Sequence, residues 1–229
     1  MPDDATPQDQ AGVHAPEAAN TARISRFWPI VSGSAAVGTA VLLGVIILIR
    51  GNLPFEADAE WMEEIIEHRN PVLEWASYVM NFIGGGWFAI FVVPLGGALV
   101  FVLLKRYWAA LYLALAMAVS AGVVQLLKGL YDRPRPEDIL VVTDAGSFPS
   151  GHTANAATLA VVVGVLFWRT WVWAAGAIYV VAMALSRTYL GAHWFSDTIG
   201  GLLLGAAVAL IVWAPFAHRL RVESPPAAR

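Results

Sequence analysis

The sequence has no cysteine at all. That removes disulfide frameworks, thiol nucleophiles and thiolate metal sites, and it leaves the compartment undecided by redox arguments. Charge is scarce as well. Asp, Glu, Lys and Arg make up 14 % of the 229 residues, and the formal net charge is -3 with no basic run outside the membrane edges. Such electrostatics offer nothing to a phosphate backbone, so nucleic acid is excluded as a partner. Also missing are a repeat of roughly 20 to 50 residues and a polar stretch long enough for a second, soluble domain. The start of the chain has no apolar core of a signal peptide. It is a polar stretch with Pro and Asp that reads as a disordered tail ahead of a full-length apolar run.

What the chain has in quantity is apolar side chains, 58 % of its residues, for a mean hydropathy of +0.63. That is too high for a soluble globular domain and marks an integral membrane protein. A spanning helix needs about 20 predominantly apolar residues. Runs of that kind cover Trp28–Ile49, Val72–Leu104, Ala109–Leu127, Thr153–Trp168, Val172–Leu185 and Thr198–Trp213. The sequence therefore predicts an all-α fold, a six-transmembrane-helix bundle over residues 27–217, with cytoplasmic tails at 1–26 and 218–229. The second run is long enough to be broken, and Gly84-Gly85-Gly86 inside it is a natural bend.

Six spans put both ends of the chain on one side. Arg23, Arg26, Lys105, Arg106, Arg169, Arg219 and Arg221 fall in one set of loops, which the positive-inside rule assigns to the cytoplasm of a multi-pass cell-membrane protein. Trp28, Trp108, Trp168, Trp171 and Trp213 lie near the same ends, as interfacial anchors do. The opposite loops include FEADAEWMEEIIEHR, whose Trp61, Met62, Ile65 and Ile66 share a helical face suited to lying along the membrane surface. Gly96-Gly97 and the Gly201–Gly205 spacing suit close helix approach.

Against that pattern, positive charge on the outer side gathers in three short segments. KGLYDRPRP ends the third run, FPSGHTANAA opens the fourth, and SRTYLGAHWFSD joins the fifth to the sixth. All three reach the same membrane face. Ionisable groups beside a bilayer core are costly unless paired, hydrated or occupied by a ligand, so Lys128, Arg135 and Arg187 call for an anion. Phosphate fits: Arg supplies planar forks of donors and Lys a compact point charge. Pro-Ser-Gly-His stands where a helix begins, so the backbone N–H groups of Ser150, Gly151 and His152 are expected to point at the same anion, with Gly151 permitting close approach.

His193 and Asp197 are four apart, on one face once a helix has begun, where a carboxylate holds one ring nitrogen and leaves the other free as a nucleophile. His152 is then available as the acid. A binding protein needs the cations but not an oriented His–Asp pair beside a second His, so the set argues for catalysis. The alternative is a non-catalytic lipid-phosphate transporter or binding protein. With no carboxylate cluster near these segments, neither a metal nor a cofactor is expected. Asp132 and Arg133 receive no catalytic role, Arg133 being either a contact to substrate or lipid headgroup or solvated. Thr153 and Asn155 read as helix–helix hydrogen bonders. His14, His68 and His218 read as tail, surface-helix and helix-end residues.

Lys128-x6-Arg135-Pro136, Pro149-Ser150-Gly151-His152 and Ser186-Arg187-x5-His193-x3-Asp197, in this order, resemble the three-part signature of the type 2 phosphatidic acid phosphatase superfamily, complete at each position. The resemblance covers Lys128 to Asp197 and implies a metal-independent phosphatase working through a phosphohistidine. It implies His193 as nucleophile, Asp197 as its orienting partner, and His152 as the group that protonates the leaving oxygen and later activates water. Lys128, Arg135 and Arg187 would hold the phosphoryl oxygens, with Ser150 and the Gly151 amide assisting. The partners it implies are membrane lipids and a lipid phosphate substrate of the undecaprenyl pyrophosphate, phosphatidylglycerophosphate or phosphatidic acid type. The signature recognises only the phosphoryl group and does not choose among these.

Overall fold

The computed structural model describes residues 14–144 and 146–223, and among these every regular element is a helix. The order is α1 (His14–Ile49), α2 (Glu56–Glu67), α3 (Pro71–Gly84), a π-helical turn (Phe88–Val92), α4 (Val93–Leu103), α5 (Tyr107–Tyr131), α6 (Gly151–Phe167), α7 (Thr170–Tyr189) and α8 (Phe195–Glu223). Of the expected tails, residues 1–13 and 224–229 lie outside the described residues, while residues 14–26 belong to α1 and 218–223 to α8.

Among the described residues, four helices are long and apolar enough to cross a membrane: Phe27–Ile49 within α1, then α5, α7 and α8. The expected second span is a broken one. Pro71–Gly84 and Phe88–Leu103 meet at a bend of 44° at the Gly85-Gly86 step, where Gly86 takes a φ of +56° that an L side chain rarely adopts. The expected fourth span is α6, which at 17 residues and about 1.5 Å of rise per residue is about 25 Å long, somewhat under the roughly 30 Å of a hydrocarbon core. The last span differs from the expected Thr198–Trp213 at both ends, running from Phe195 to Glu223 straight through Pro215. Its C-terminus is tied down: the Glu223 carboxylate accepts from Trp108 N at 2.8 Å and Ala109 N at 2.9 Å, satisfying donors that open α5.

Helix α6 is the hub, packed on α8, α7 and α5. The Gly201–Gly205 pair works as its spacing suggests. A Cβ at Gly201 would collide with the carbonyl oxygen of Ser150, and one at Gly205 with that of Ala154, so α8 lies directly on the α6 backbone. Thr158 Oγ1 ties the three helices, 2.9 Å from Ser120 Oγ on α5 and 3.1 Å from Gly205 O on α8. Thr153, expected to bond between helices, instead meets Ser150 Oγ at 3.1 Å within its own first turn. Around this core, Leu95, Leu103, Leu126 and Ile178 are largely exposed, which suits lipid and not water.

Helix α2 is more than a surface helix. Its Asp58 and Met62 are buried, because it packs against α7 and α8 at the end of the bundle that carries the three charged segments.

Candidate active site

Four helix ends, those of α5, α6, α7 and α8, build one pocket. Lys128 sits in the last turn of α5, which closes at Asp132 in the left-handed region (φ 39°) and turns the chain back toward the bundle. Ser150 caps α6, its hydroxyl accepting from Thr153 N, so that Gly151 and His152 occupy the first two helical positions and lack intrahelical partners for their N–H groups. Arg187 lies in the last turn of α7. His193 stands just ahead of α8, and Asp197 lies in the first turn of that helix, where its carboxylate accepts from Trp194 N at 2.9 Å and faces the positive end of the dipole.

The cavity between them has a volume of about 400 Å³ and is lined by Lys128, Arg135, Gly151, His152, Arg187 and His193, together with Asn81, Gly85 and Asp144. Six of the eight sequence-predicted site residues therefore line one space. The other two stand behind it. Asp197 is fully buried, and so is Ser150, whose hydroxyl is used as a helix cap. One expectation is corrected here: the Ser150 amide is not free for an anion, since it donates to Asp197 O at 3.0 Å, which pins the start of α6 to the start of α8.

His193 is 2 % exposed. Its Nδ1 faces Asp197 Oδ2 at 3.7 Å, an ion-pair distance too long for a hydrogen bond, and among the described residues Nδ1 makes no hydrogen bond. Catalytic contacts of this kind are often long before substrate binds and tighten afterwards. Its Nε2 points the other way, 3.4 Å from Arg135 Nη1. Burial first, then the positive charges of Arg187, Arg135 and Lys128, hold the imidazole well below its ordinary value, so it is neutral near pH 7. Arg187 is 1 % exposed and donates to Asn81 Oδ1 at 2.6 Å; His152 Nε2 lies 3.2 Å from the Asn81 carbonyl.

Lys128 and Arg135 already share an anion. Lys128 Nζ is 3.3 Å and Arg135 Nη2 2.7 Å from Asp144 Oδ1, and both also donate to Gly146 O. Burial raises the Asp144 carboxyl, but Lys128 and Arg135 outweigh it and hold the group below the usual carboxylate range.

Sequence reasoning passed over Asn81, Asp144, Ser147 and Asp58, and it placed Arg133 elsewhere. Arg133 corrects an expectation directly. It is neither solvated nor at a headgroup but buried with no side-chain exposure, ion-paired to Asp197 at 2.6 Å and to Asp58 at 2.8 Å. Ser147 Oγ donates to Asp197 Oδ2. For Asn81 a signal was present, a lone amide inside an apolar run. Among the described residues, the groups close enough to share a metal ion are Glu64, Glu67 and His68, exposed on α2 and absent from the cavity lining. A larger cavity of about 620 Å³ opens among Trp28, Arg106, Trp168, Trp213 and Arg221 at the other end of the bundle, and among the described residues its lining has no nucleophile or carboxylate.

Comparison with known proteins bears on this arrangement. Residues 109–221, which hold every residue of the three motifs, match the family model of the PAP2 superfamily. The chain is 26 % identical over 174 residues to phosphatidylglycerophosphatase B of Bacillus subtilis (strain 168), covering 72 % of this chain and 85 % of that one. It is 32 % identical over 132 residues to decaprenylphosphoryl-5-phosphoribose phosphatase of Mycobacterium tuberculosis (strain ATCC 25618 / H37Rv), covering 56 % of this chain and 70 % of that one. Its fold matches the crystal structure of a transmembrane PAP2-type phosphatidylglycerolphosphate phosphatase from Bacillus subtilis with a TM-score of 0.70, over 82 % of this chain and 96 % of that one at 24 % identity. The chain belongs to the PAP2 superfamily, in its membrane phosphatase branch, and is a phosphoric ester hydrolase.

Proposed function

We propose that this lipid phosphate phosphatase hydrolyses a lipid monophosphate or pyrophosphate through a phosphohistidine at His193, without a metal. The observation that carries the proposal is the placement of a buried, neutral His193 between Asp197 on one side and a cavity lined by Lys128, Arg135 and Arg187 on the other. The three cations and the first amides of α6 hold the phosphoryl oxygens and neutralise charge as it develops, which is the main task in phosphoryl transfer. His193 Nε2 attacks phosphorus, forming the N–P bond as the P–O bond to the leaving group breaks. His152 supplies the proton that the leaving oxygen takes. In the second step His152 accepts a proton from water as its oxygen attacks phosphorus, and His193 departs as free imidazole. Throughout, Asp197 holds the Nδ1 proton and offsets the positive charge of the phosphorylated ring.

A lipid tail is supported by what adjoins the cavity. Ile90 and Asn155 line both the phosphate cavity and a second groove of about 360 Å³, walled by Phe91, Pro94, Leu95 and Met117 between α4 and α5. Substrate then arrives laterally from the bilayer. In the membrane the chain makes six crossings, with α6 as the short fourth, both termini in the cytoplasm and the site at the outer face; the basic loops support that orientation.

The deciding assay is phosphate release by purified protein from a panel of lipid monophosphates and pyrophosphates, with and without EDTA. Release is expected from at least one lipid in EDTA, with inhibition by vanadate, whose five-coordinate form resembles the transition state. Activity abolished by EDTA and restored by Mg²⁺ would overturn the mechanism.

A further inference from the structure

Asp197 belongs to a buried chain of charges that extends beyond the signature residues. Arg133 Nη1 donates to Asp197 Oδ1 at 2.6 Å and to Ser196 Oγ at 2.8 Å, while its Nη2 donates to Asp58 Oδ2 at 2.8 Å. Asp58, carried by α2 and 1 % exposed, is bound twice more to the first turn of α8: its Oδ1 accepts from Ser196 N at 2.8 Å and its Oδ2 from Ser196 Oγ at 2.7 Å. Burying three charges is costly, and a buried ion pair is often matched or bettered in stability by apolar packing. A device of this kind that serves only to fasten α2 to α8 is therefore an expensive one.

The count of charges suggests another use. An isolated Arg133–Asp197 pair would be neutral, and a neutral pair does little to offset the positive charge that His193 acquires when phosphorylated. With Asp58 present, one guanidinium is shared between two carboxylates, and the buried cluster keeps a net charge of one negative unit beside His193. Asp197 meanwhile stays aimed. Its Oδ2, the oxygen toward His193, is held separately by Trp194 N and Ser147 Oγ.

We propose that Asp58 is a positioning residue for catalysis: it takes up half of the Arg133 guanidinium, so that Asp197 keeps its negative charge for His193. The proposal rests on His193 being the nucleophile. It assigns to α2, a helix outside all three motifs, a share in the chemistry. Neither residue lines the cavity, so substrate binding by the cations is left alone.

The test is a cycle of variants: Asp58→Asn, Arg133→Met, and both together. Asp58→Asn keeps the shape but leaves the cluster neutral, Arg133→Met leaves two uncompensated carboxylates, and the double variant returns to one negative charge on Asp197. In rapid-quench experiments the burst amplitude counts folded active sites, and the burst rate measures phosphoenzyme formation at each. Asp58→Asn is expected to slow phosphoenzyme formation per site by roughly 10- to 100-fold, the range seen when partners of a catalytic or ligating histidine's support are removed. Inhibition by inorganic phosphate should be unchanged. Adding Arg133→Met should recover most of the lost rate per site, because the charge is restored. A purely structural latch gives the opposite pattern: amplitude falls, rate per site stays, and the double variant is no better than the worse single one. That pattern, or a rate per site unchanged in Asp58→Asn, overturns the proposal. Wild-type protein that turns over substrate without any phosphoenzyme overturns the nucleophile assignment, and this inference with it.

Discussion

Replacing Gly85 by alanine should disable His152 without touching it. Gly85 has an extended backbone (φ -140°, ψ -172°) that any residue adopts, so alanine brings no backbone strain there. What it brings is a methyl group in the space of the His152 imidazole. The contact to Cδ2 would be 2.9 Å where ordinary packing begins at 3.4 Å, a deficit of about 0.5 Å, and the contacts to Cε1 and Nε2 are tighter still. The ring must swing away from the α3 end, breaking the 3.2 Å contact between its Nε2 and the Asn81 carbonyl that orients it. A displacement of about 1 Å can cost about 10²-fold in rate, and complete loss of a general acid costs roughly 10²- to 10⁴-fold. Gly85→Ala should therefore lose about 10²-fold or more in phosphoenzyme formation on a lipid monophosphate, whose alkoxide needs a proton to leave. On nitrophenyl phosphate, whose leaving group needs none, the loss should be several-fold at most. Because both changes remove the same function, Gly85→Ala added to His152→Ala should cost almost nothing more. Gly96→Ala, with open space around its Cβ, is the control. Equal losses on both substrates, or full additivity with His152→Ala, would refute the placement of His152 as the acid held against Gly85.

Three other outcomes follow from the same geometry. Because burial and the neighbouring cations depress the His193 imidazole, the neutral nucleophile persists as pH falls, and the acid limb of phosphoenzyme formation, corrected for substrate ionisation, should lie well below pH 6.5; a limb at or above 6.5 would contradict this. Asp144→Asn removes the carboxylate that occupies Lys128 and Arg135, so inorganic phosphate should inhibit more tightly, by up to about 5-fold for a partly exposed ion pair, and weaker inhibition would oppose it. The orientation is checked with cysteines introduced into a chain that has none. In intact cells an impermeant reagent should label a cysteine at exposed Glu63 and not one at exposed Lys105, and the reverse pattern would invert the topology.

Much of this site could be read from residue order because its parts are local. Lys128, Gly151, His152, Arg187 and Asp197 sit at helix termini, where loop chemistry and apolar runs mark the boundaries, and the alternation of spans brings those termini to one face. The break near Gly85 was legible for the same reason. Long-range partners were not. Nothing local to Arg133 says that it is buried, since its partner Asp58 lies 75 positions away on a helix whose acidic composition suggests solvent. The two uses of Ser150 are likewise decided by distance: once Gly201 lets α8 rest on the α6 backbone, the Ser150 amide meets Asp197 O and is no longer available to an anion. Helix α8 outran its expected end because the capping role of Glu223 depends on the first turn of α5, far away in sequence.

The most direct measurement is to locate the covalent phosphate. His152→Ala protein, expected to form the intermediate from nitrophenyl phosphate and to lack the base for its hydrolysis, is quenched under alkaline conditions, digested and mapped by mass spectrometry. Stoichiometric, acid-labile phosphate on His193, absent when His193→Ala is added, is the result expected from a nucleophile set between Asp197 and the three cations. Phosphate found on another residue, or a burst that survives His193→Ala, would contradict the mechanism at its centre.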